Sequence, residues 1–245
     1  METEEVFGIK YAVGDVLSAV STVLDKIGDL SGGYICFSNV FTVATAVDNS
    51  KYKEALNQSS FTFPDGAPIA KRLRRKGAVN ARRIAGPDFM EALLGATADG
   101  RVRHFFYGSS ESTLEKLVTN IRKKYPEINI VGKYSPPFRG LTPDEDREII
   151  QTVNSAEADI VWIGLGAPKQ EMFMYSHKGK IHGLMVGVGA GFDYQAGTVK
   201  RAPLWMQKCS LEWLHRLITD PARLFKRYLI TNSKYIWYCL TKKDS

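Results

Sequence analysis

The chain lacks the features that mark membrane-spanning, disulfide-bonded and metal-dependent proteins. Its 245 residues include 3 cysteines and 4 histidines, and neither set has the spacing of a metal site. An odd number of widely separated cysteines predicts reduced thiols in a cytosolic protein rather than a disulfide framework. The longest apolar stretches, such as residues 235–240, fall far short of the ~20 residues that a spanning helix needs. If this chain meets a membrane, we therefore expect it to lie on the surface.

Several common targeting and catalytic signals are also missing. The first residues, METEEVFGIKY, are acidic and lack the apolar run of a signal peptide. No Walker loop, Ser-His-Asp set or zinc pattern is present in the sequence. Residues 144–146 (Asp-Glu-Asp) resemble an Asp-x-Asp metal motif, but they follow Thr142-Pro143 and are typical of the acidic first turn of a helix. We therefore expect no metal cofactor.

Basic charge is present, and it is concentrated at the C-terminal end. The formal net charge is +7. Residues 200–245 hold ten basic and three acidic side chains, whereas the first 199 residues balance at 23 of each sign. This asymmetry indicates an anionic partner for the end of the chain, either lipid headgroups or nucleic acid.

Strand and helix patterns alternate along most of the chain. Apolar residues at helical spacing predict a helix over 112–124, for example, and short apolar runs predict strands over 34–37, 102–107 and 159–163. Such alternation is typical of an α/β fold, a Rossmann-like and largely parallel sheet flanked by helices. The predicted organisation is an α/β core over residues 1–195 and a basic amphipathic, helical C-terminal appendage over residues 196–245.

Glycine-rich segments follow several predicted strands, where parallel sheets bind ligands. GLGAPKQE, residues 164–171, has the form of a strand end, a glycine turn and a helix start, which gathers backbone N–H groups around an anion. It is not a dinucleotide fingerprint because a third glycine is missing, and a plain tight turn fits it equally well. The glycines at 187, 189 and 191 indicate either close approach to a ligand or tight strand packing.

Three charged residues allow both a structural and a chemical interpretation. Asp65 lies between a short strand and Gly66, where it fits a turn residue or a helix cap. The same position suits a general base that takes a proton from an acceptor hydroxyl. Arg82 and Arg83 are either exposed charges or phosphate contacts. The glycine turn at residues 164–171 suits a phosphate, and the basic amphipathic segment after residue 196 suits a membrane surface. This order indicates an enzyme that joins a soluble nucleotide to a membrane-bound acceptor.

Six segments, taken in order, carry a resemblance to a known family. They are FPDG (63–66), RRIAGPDFMEALL (82–94), FYGSSE (106–111), GLGAPKQE, GVGAGFDYQAGTVKRAP (187–203) and LEWLHRL (211–217). From about residue 39 to 228 the chain resembles the WecG/TagA/CpsF family of bacterial glycosyltransferases. The resemblance implies metal-independent, inverting transfer of a sugar, of N-acetylmannosamine type or related, from a UDP-sugar to a polyprenyl-diphosphate-linked saccharide. Such an enzyme serves cell-surface polysaccharide synthesis at the inner face of the bacterial plasma membrane.

The same resemblance implies roles for individual residues. Asp65 would be the catalytic base, and Asn39 would position substrate beside it. Independently of the resemblance, the basic tail offers Arg216, Arg223 and Arg227 as candidates for the diphosphate at the membrane, because without a metal arginines must balance the charge of the leaving UDP. This sequence departs from the family at Phe37, where some members have threonine, and at Arg82, where many have glutamate. The implied nucleotide-sugar pocket comprises Arg83, Gly108, Gly164, Gly166, Gln170, Glu171, Gly189 and Asp193.

A second hypothesis treats the chain as a non-catalytic Rossmann-like nucleotide-binding module with a nucleic-acid-binding tail. Residues 225–228 (Phe-Lys-Arg-Tyr) have the side chains to stack on bases and hold phosphates. The bulk of the apolar side chains in the tail favours a membrane surface and no nucleic acid. Those residues are Leu211, Leu214, Leu217, Ile218, Leu224, Leu229 and Trp237.

Overall fold

The computed structural model describes residues 1–208 and 211–241, without the side chains of Lys208 and Arg223. Six strands form one wholly parallel sheet in the order β4-β3-β8-β7-β5-β6, and β1 and β2 form a separate antiparallel hairpin. The strands are β1 (Thr3–Val6), β2 (Ile9–Ala12), β3 (Tyr34–Ser38), β4 (Phe61–Pro64), β5 (Arg103–Gly108), β6 (Asn129–Tyr134), β7 (Ile160–Gly164) and β8 (Leu184–Gly187).

Helices flank this sheet and form the C-terminal appendage. The predicted Rossmann-like α/β fold with a helical appendage is confirmed. The helices are α1 (Val16–Asp25), α2 (Val40–Asp48), α3 (Ser50–Asn57), α4 (Ala67–Arg75), α5 (Gly86–Ala96), α6 (Glu111–Lys124), α7 (Pro143–Ser155), α8 (Lys169–Ser176), α9 (Gly191–Ala196), α10 (Leu204–Lys208), α11 (Glu212–Thr219) and α12 (Pro221–Thr241).

The sheet separates two hydrophobic cores. Along β7, Val161 and Ile163 pack into one core, whereas Ile160 and Trp162 pack into the other, as the two-residue period of a strand requires. A central strand covered by helices on both faces needs an uninterrupted apolar sequence, and IVWIG supplies it. The sheet is therefore covered on both faces along β7.

The N-terminal hairpin is an element that the sequence did not predict. Val6 pairs with Ile9 across a two-residue turn in which Phe7 and Gly8 both have positive φ, 57° and 74°. Asn-Gly or Asp-Gly normally occupies such a turn, so the Phe-Gly sequence does not predict a hairpin. Tertiary packing holds Phe7 there, because its ring meets Tyr235 edge-on at 5.7 Å and lies 4.4 Å below the Arg72 guanidinium.

The acidic segment at residues 144–146 forms the first turn of α7, as its sequence context predicted. Thr142 caps this helix and shares a reciprocal capping box with Glu145. Glu145 also pairs with Arg139, and Asp146 accepts a hydrogen bond from buried His177 at 2.9 Å. These carboxylates are thus engaged in local structure. Within residues 1–208 and 211–241, no group of three or more potential ligand side chains forms a metal-type cluster.

The appendage packs on the core through α12 and the N-terminal hairpin. Tyr238 donates a hydrogen bond to Asp48 at the end of α2, and Lys234 pairs with the other oxygen of that carboxylate, both at 2.5 Å. Tyr235 is buried against Phe7. In the described part of the chain, no helix combines the length and apolarity needed to cross a bilayer.

Candidate active site

A cleft of about 480 Å³ lies where the carboxyl ends of β3 and β4 face the appendage. The core side contributes Asn39 after β3, Asp65 after β4, and Arg83 before α5. The appendage side contributes residues of α11 and α12, including Arg216 and Arg227. The structure therefore brings together five of the residues that the sequence singled out, from segments that are far apart in the chain.

Asp65 lies at the floor of the cleft. Its backbone N–H donates to the Ser38 carbonyl at 2.8 Å, which ties the ends of β3 and β4 together. Its side chain keeps about 21% of its surface exposed and lies 3.9 Å from Arg83. Burial raises the pKa of Asp65 to about 7, against the opposing charge of Arg83. A carboxylate with that pKa has the strength to accept a proton near neutral pH.

Asn39 is held in a fixed orientation beside Asp65. Its Oδ1 accepts hydrogen bonds from the N–H groups of Phe41 and Thr42, which makes Asn39 the cap of α2. Within the described residues, no hydrogen bond occupies its Nδ2, so the amide keeps a donor for a ligand in the cleft. Behind it, Ser38 Oγ shares hydrogen bonds with Tyr11 and Thr42.

The departure at Phe37 has a clear structural consequence. The Phe37 ring is buried and packs against Phe63 at 5.7 Å and Phe89 at 5.4 Å. A residue in this aromatic cluster offers no hydroxyl to a substrate. The hydroxyl that threonine supplies in some family members is therefore missing at this position.

Arg83 is part of an ion-pair ring that joins the core to the appendage. Its two terminal nitrogens lie 2.9 Å from Asp88 and 2.7 Å from Glu212. Arg201 pairs with the same two carboxylates, at 2.6 Å and 3.2 Å. Sequence reasoning did not single out Asp88, Arg201 or Glu212. The available signal was their place inside three of the family motifs, at RRIAGPDF, GTVKRAP and LEWLHRL.

The predicted glycine loops gather at a second place, the carboxyl ends of β5, β7 and β8, outside the residues that line the cleft. A Cβ on Gly108 would lie 2.7 Å from the Gly164 carbonyl, and a Cβ on Gly164 would lie 2.5 Å from the Phe192 ring. Both glycines are therefore required for close strand and helix packing. Gly166 and Gly189 have positive φ, 76° and 50°, and shape the loops after β7 and β8. The contact of these four glycines with a nucleotide sugar stays a prediction.

Gln170 and Glu171 are buried beneath those loops. Gln170 Oε1 accepts from the Gly166 N–H at 3.1 Å, while its Nε2 donates to the Gly187 carbonyl at 3.0 Å and to Glu171 at 2.8 Å. Burial raises the pKa of Glu171 to about 7. In this arrangement, Gln170 joins the two glycine loops. The contact of Gln170 and Glu171 with a nucleotide sugar stays a prediction.

The remaining predicted residues have different surroundings. Asp193 lies in the first turn of α9 and receives a hydrogen bond from Thr198, outside the lining of the cleft. The Arg227 guanidinium stacks on Phe41 at 4.7 Å. Arg223 belongs to α12, and its side chain lies outside the described part of the structure.

A cavity of similar size, about 500 Å³, opens near the amino ends of the strands. Its charged lining is already engaged, because Arg103 pairs with Asp159 and Glu157 at 2.9 Å each. Ligands of open α/β sheets bind at the opposite, carboxyl edge. The cleft at Asp65 is therefore the better candidate site.

Comparison with known proteins identifies the family of this chain. The family model of the Glycosyl transferase WecG/TagA/CpsF family matches residues 4–245. The N-acetylglucosaminyldiphosphoundecaprenol N-acetyl-beta-D-mannosaminyltransferase of Bacillus subtilis strain 168 is 33% identical over 94% of this chain and 88% of its own length. The protein of the same name from Bacillus spizizenii strain W23 is 30% identical over 96% of this chain and 90% of its own length. The chain therefore belongs to the WecG/TagA/CpsF family of glycosyltransferases.

Proposed function

We propose that this protein is an inverting glycosyltransferase that moves a sugar, of N-acetylmannosamine type or related, from a UDP-sugar to a polyprenyl-diphosphate-linked saccharide. The observation that carries the proposal is Asp65, a carboxylate of raised pKa in a cleft that a cationic, apolar appendage covers. The names of the two relatives supply the sugar and acceptor classes.

Asp65 supplies the base that such a reaction needs. The acceptor hydroxyl gives its proton to Asp65 as its oxygen bonds to C1 of the sugar, and the bond from C1 to the UDP oxygen breaks. One displacement at C1 inverts its configuration. The Nδ2 of Asn39, held by the α2 cap, supports the acceptor or the sugar from the adjacent wall of the cleft.

Negative charge develops on the departing UDP and must be stabilised. We assign this task to Arg83, which lines the cleft, and to backbone N–H groups at the loops of Gly166 and Gly189. No metal is part of this proposal. In many other nucleotide-sugar enzymes a divalent ion balances the diphosphate, so dependence of turnover on added metal is a direct test of the assignment.

The appendage suits an acceptor whose lipid lies in a bilayer. Arg216 and Arg227 line the cleft and supply charge for the acceptor diphosphate. Successive turns of α12 at residues 227–228, 231–232 and 235–236 also line it, over about 14 Å of helix. On the same helix, Leu229, Ile236 and Trp237 are exposed. The cleft thus leads from the base toward an apolar surface, and we propose a peripheral position on the inner face of the bacterial plasma membrane.

The same exposed side chains argue against the alternative of a nucleic-acid-binding module. A nucleic-acid arm needs basic and stacking groups, but gains nothing from exposed leucine and isoleucine. An anionic bilayer uses both the charge and the apolar bulk. Two binding measurements distinguish these partners, one with vesicles that contain anionic lipid and one with a single-stranded oligonucleotide.

The test of the whole proposal is a transfer assay with a panel of UDP-sugars and an N-acetylglucosaminyl-diphosphate-polyprenol acceptor. We expect UDP release that depends on the acceptor, and a product whose anomeric configuration, measured by NMR, is opposite to that of the donor. Retention of configuration would exclude the single displacement. Absence of transfer with every donor would exclude the acceptor class or the reaction.

A further inference from the structure

Four side chains, two of which line the cleft, form a closed ring of alternating charge. Arg83 and Arg201 each contact both Asp88 and Glu212, over distances from 2.6 to 3.2 Å. Two members belong to the core, and two belong to the chain that follows α9. The ring contains two positive and two negative charges, so each charge is balanced on both sides.

Glu212 competes with Asp65 for the same guanidinium group. Arg83 Nη2 lies 2.7 Å from Glu212 but 3.9 Å from Asp65 Oδ1. The shorter contact is a charge-assisted hydrogen bond, whereas the longer contact is only an electrostatic one. If Glu212 lost its charge, Arg83 would be free to turn toward Asp65.

Glu212 also begins helix α11, which places other groups at the cleft. Among its described residues, α11 has no fully buried side chain. The edge-on contact of Trp213 with Tyr228 holds this helix against α12, and the ring of charges ties it to the core. Trp213 and Arg216, on the same helix, line the cleft.

We propose that Glu212 is a positioning residue: through the ring it holds α11 over the cleft and keeps Arg83 from pairing fully with Asp65. This inference rests on the proposed role of Asp65 as the base. Nothing in the sequence motifs alone assigns such a function to Glu212, since its partners lie 129 and 11 residues away in the chain.

The charges that face Asp65 determine the sign of the expected effect. Arg83 and Arg216 lower the pKa of Asp65, whereas Glu212 and Asp88 raise it. The Tyr194 phenol of α9 faces the same group of charges and lines the cleft. Removal of the Glu212 charge thus favours ionised Asp65 at lower pH and makes it a weaker base. Removal of Arg201 takes one positive partner from each of Asp88 and Glu212. We expect this loss to raise the pKa of Asp65.

The test is the pH profile of kcat/KM for Glu212→Gln and Arg201→Gln in the full chain. We expect the acidic limb to move down by roughly one pH unit in Glu212→Gln and to move up in Arg201→Gln. Glu212→Asp keeps the charge and should keep the limb near its wild-type position, although kcat falls. Glu157→Gln, at an exposed ion pair with Arg103 far from the cleft, is the matched control and should leave the profile unchanged.

Opposite shifts of the limb support the inference, because loss of a purely structural tether has no reason to move the two variants in opposite directions. Equal losses of activity with an unmoved limb overturn it. Should Glu212→Gln fail to fold, Asp88→Asn carries the same test from the core side and should also move the limb down. Activity that survives in Asp65→Asn would instead refute the proposed base, so the two failures are distinguishable.

Discussion

The core buries most of its large apolar side chains, whereas the appendage exposes many of them. Up to residue 199, the described chain exposes 4 large apolar side chains, whereas residues 204–240 expose 10. The core buries large aromatics such as Trp162 and Phe106 completely, and it carries balanced charge. A surface that is both apolar and basic is costly in water and is typical of contact with a membrane. The core thus has the surface of a protein in water, and the appendage has the surface that the proposed membrane contact needs.

The proposed base, Asp65, lies in the core, and its loss is the change with the largest expected effect. Asp65→Asn is nearly isosteric, yet its amide cannot accept a proton at neutral pH. We expect transfer to fall about 10²–10⁴-fold, with UDP binding nearly unchanged by calorimetry. Asp99→Asn, at an exposed ion pair, is the control. Transfer within threefold of wild type would remove Asp65 from the mechanism.

The next largest effect is expected from the exposed apolar side chains of the appendage. Leu229→Glu combined with Trp237→Glu places two charges on the exposed face of α12. Binding to anionic vesicles should weaken roughly 10–100-fold, because apolar insertion is lost and repulsion is added. The control is Leu17→Glu, at a residue of core helix α1 that is even more exposed than Leu229 and Trp237. If both proteins co-sediment equally with vesicles, α12 is not the docking surface.

A smaller effect concerns stability within the core. The pKa of Asp65 is raised to about 7 in the folded state, so the native protein holds a proton between about pH 4 and 7 that the unfolded chain releases. The contribution of this group to stability is therefore fully present at low pH and is lost as the pH rises through 7. Asp65→Asn should melt at a higher temperature than wild type at pH 8, with a smaller difference at pH 5. Equal differences at both pH values would contradict the raised pKa.

The smallest expected effect is that of metal removal. Since arginines and backbone N–H groups are assigned to the leaving group, turnover should be unchanged in excess EDTA and after addition of magnesium or manganese. Steady-state rates in the transfer assay measure this directly. Complete loss of activity that returns with metal would show that the diphosphate site is incomplete without an ion.

Much of the core could be predicted from the sequence because its local and tertiary requirements agree. The strand predicted over 159–163 is β7, the helix predicted over 112–124 is α6, and residues 144–146 form the first turn of α7 as their context indicated. The hairpin was missed because Phe7 adopts a positive φ that packing, not propensity, enforces. The ring of Arg83, Asp88, Arg201 and Glu212 was missed because contacts between distant segments leave no local pattern.

The sequence by itself determined the α/β alternation, the segregation of positive charge and the candidate base at Asp65. Those properties depend on composition, spacing and the order of motifs, which are one-dimensional. Only the tertiary structure decided that Arg83 pairs with Glu212 more closely than with Asp65, and that Gln170 points inward to join two loops. The physical reason is that several groups could pair with the same side chain. Which pairs form depends on distance and burial in three dimensions.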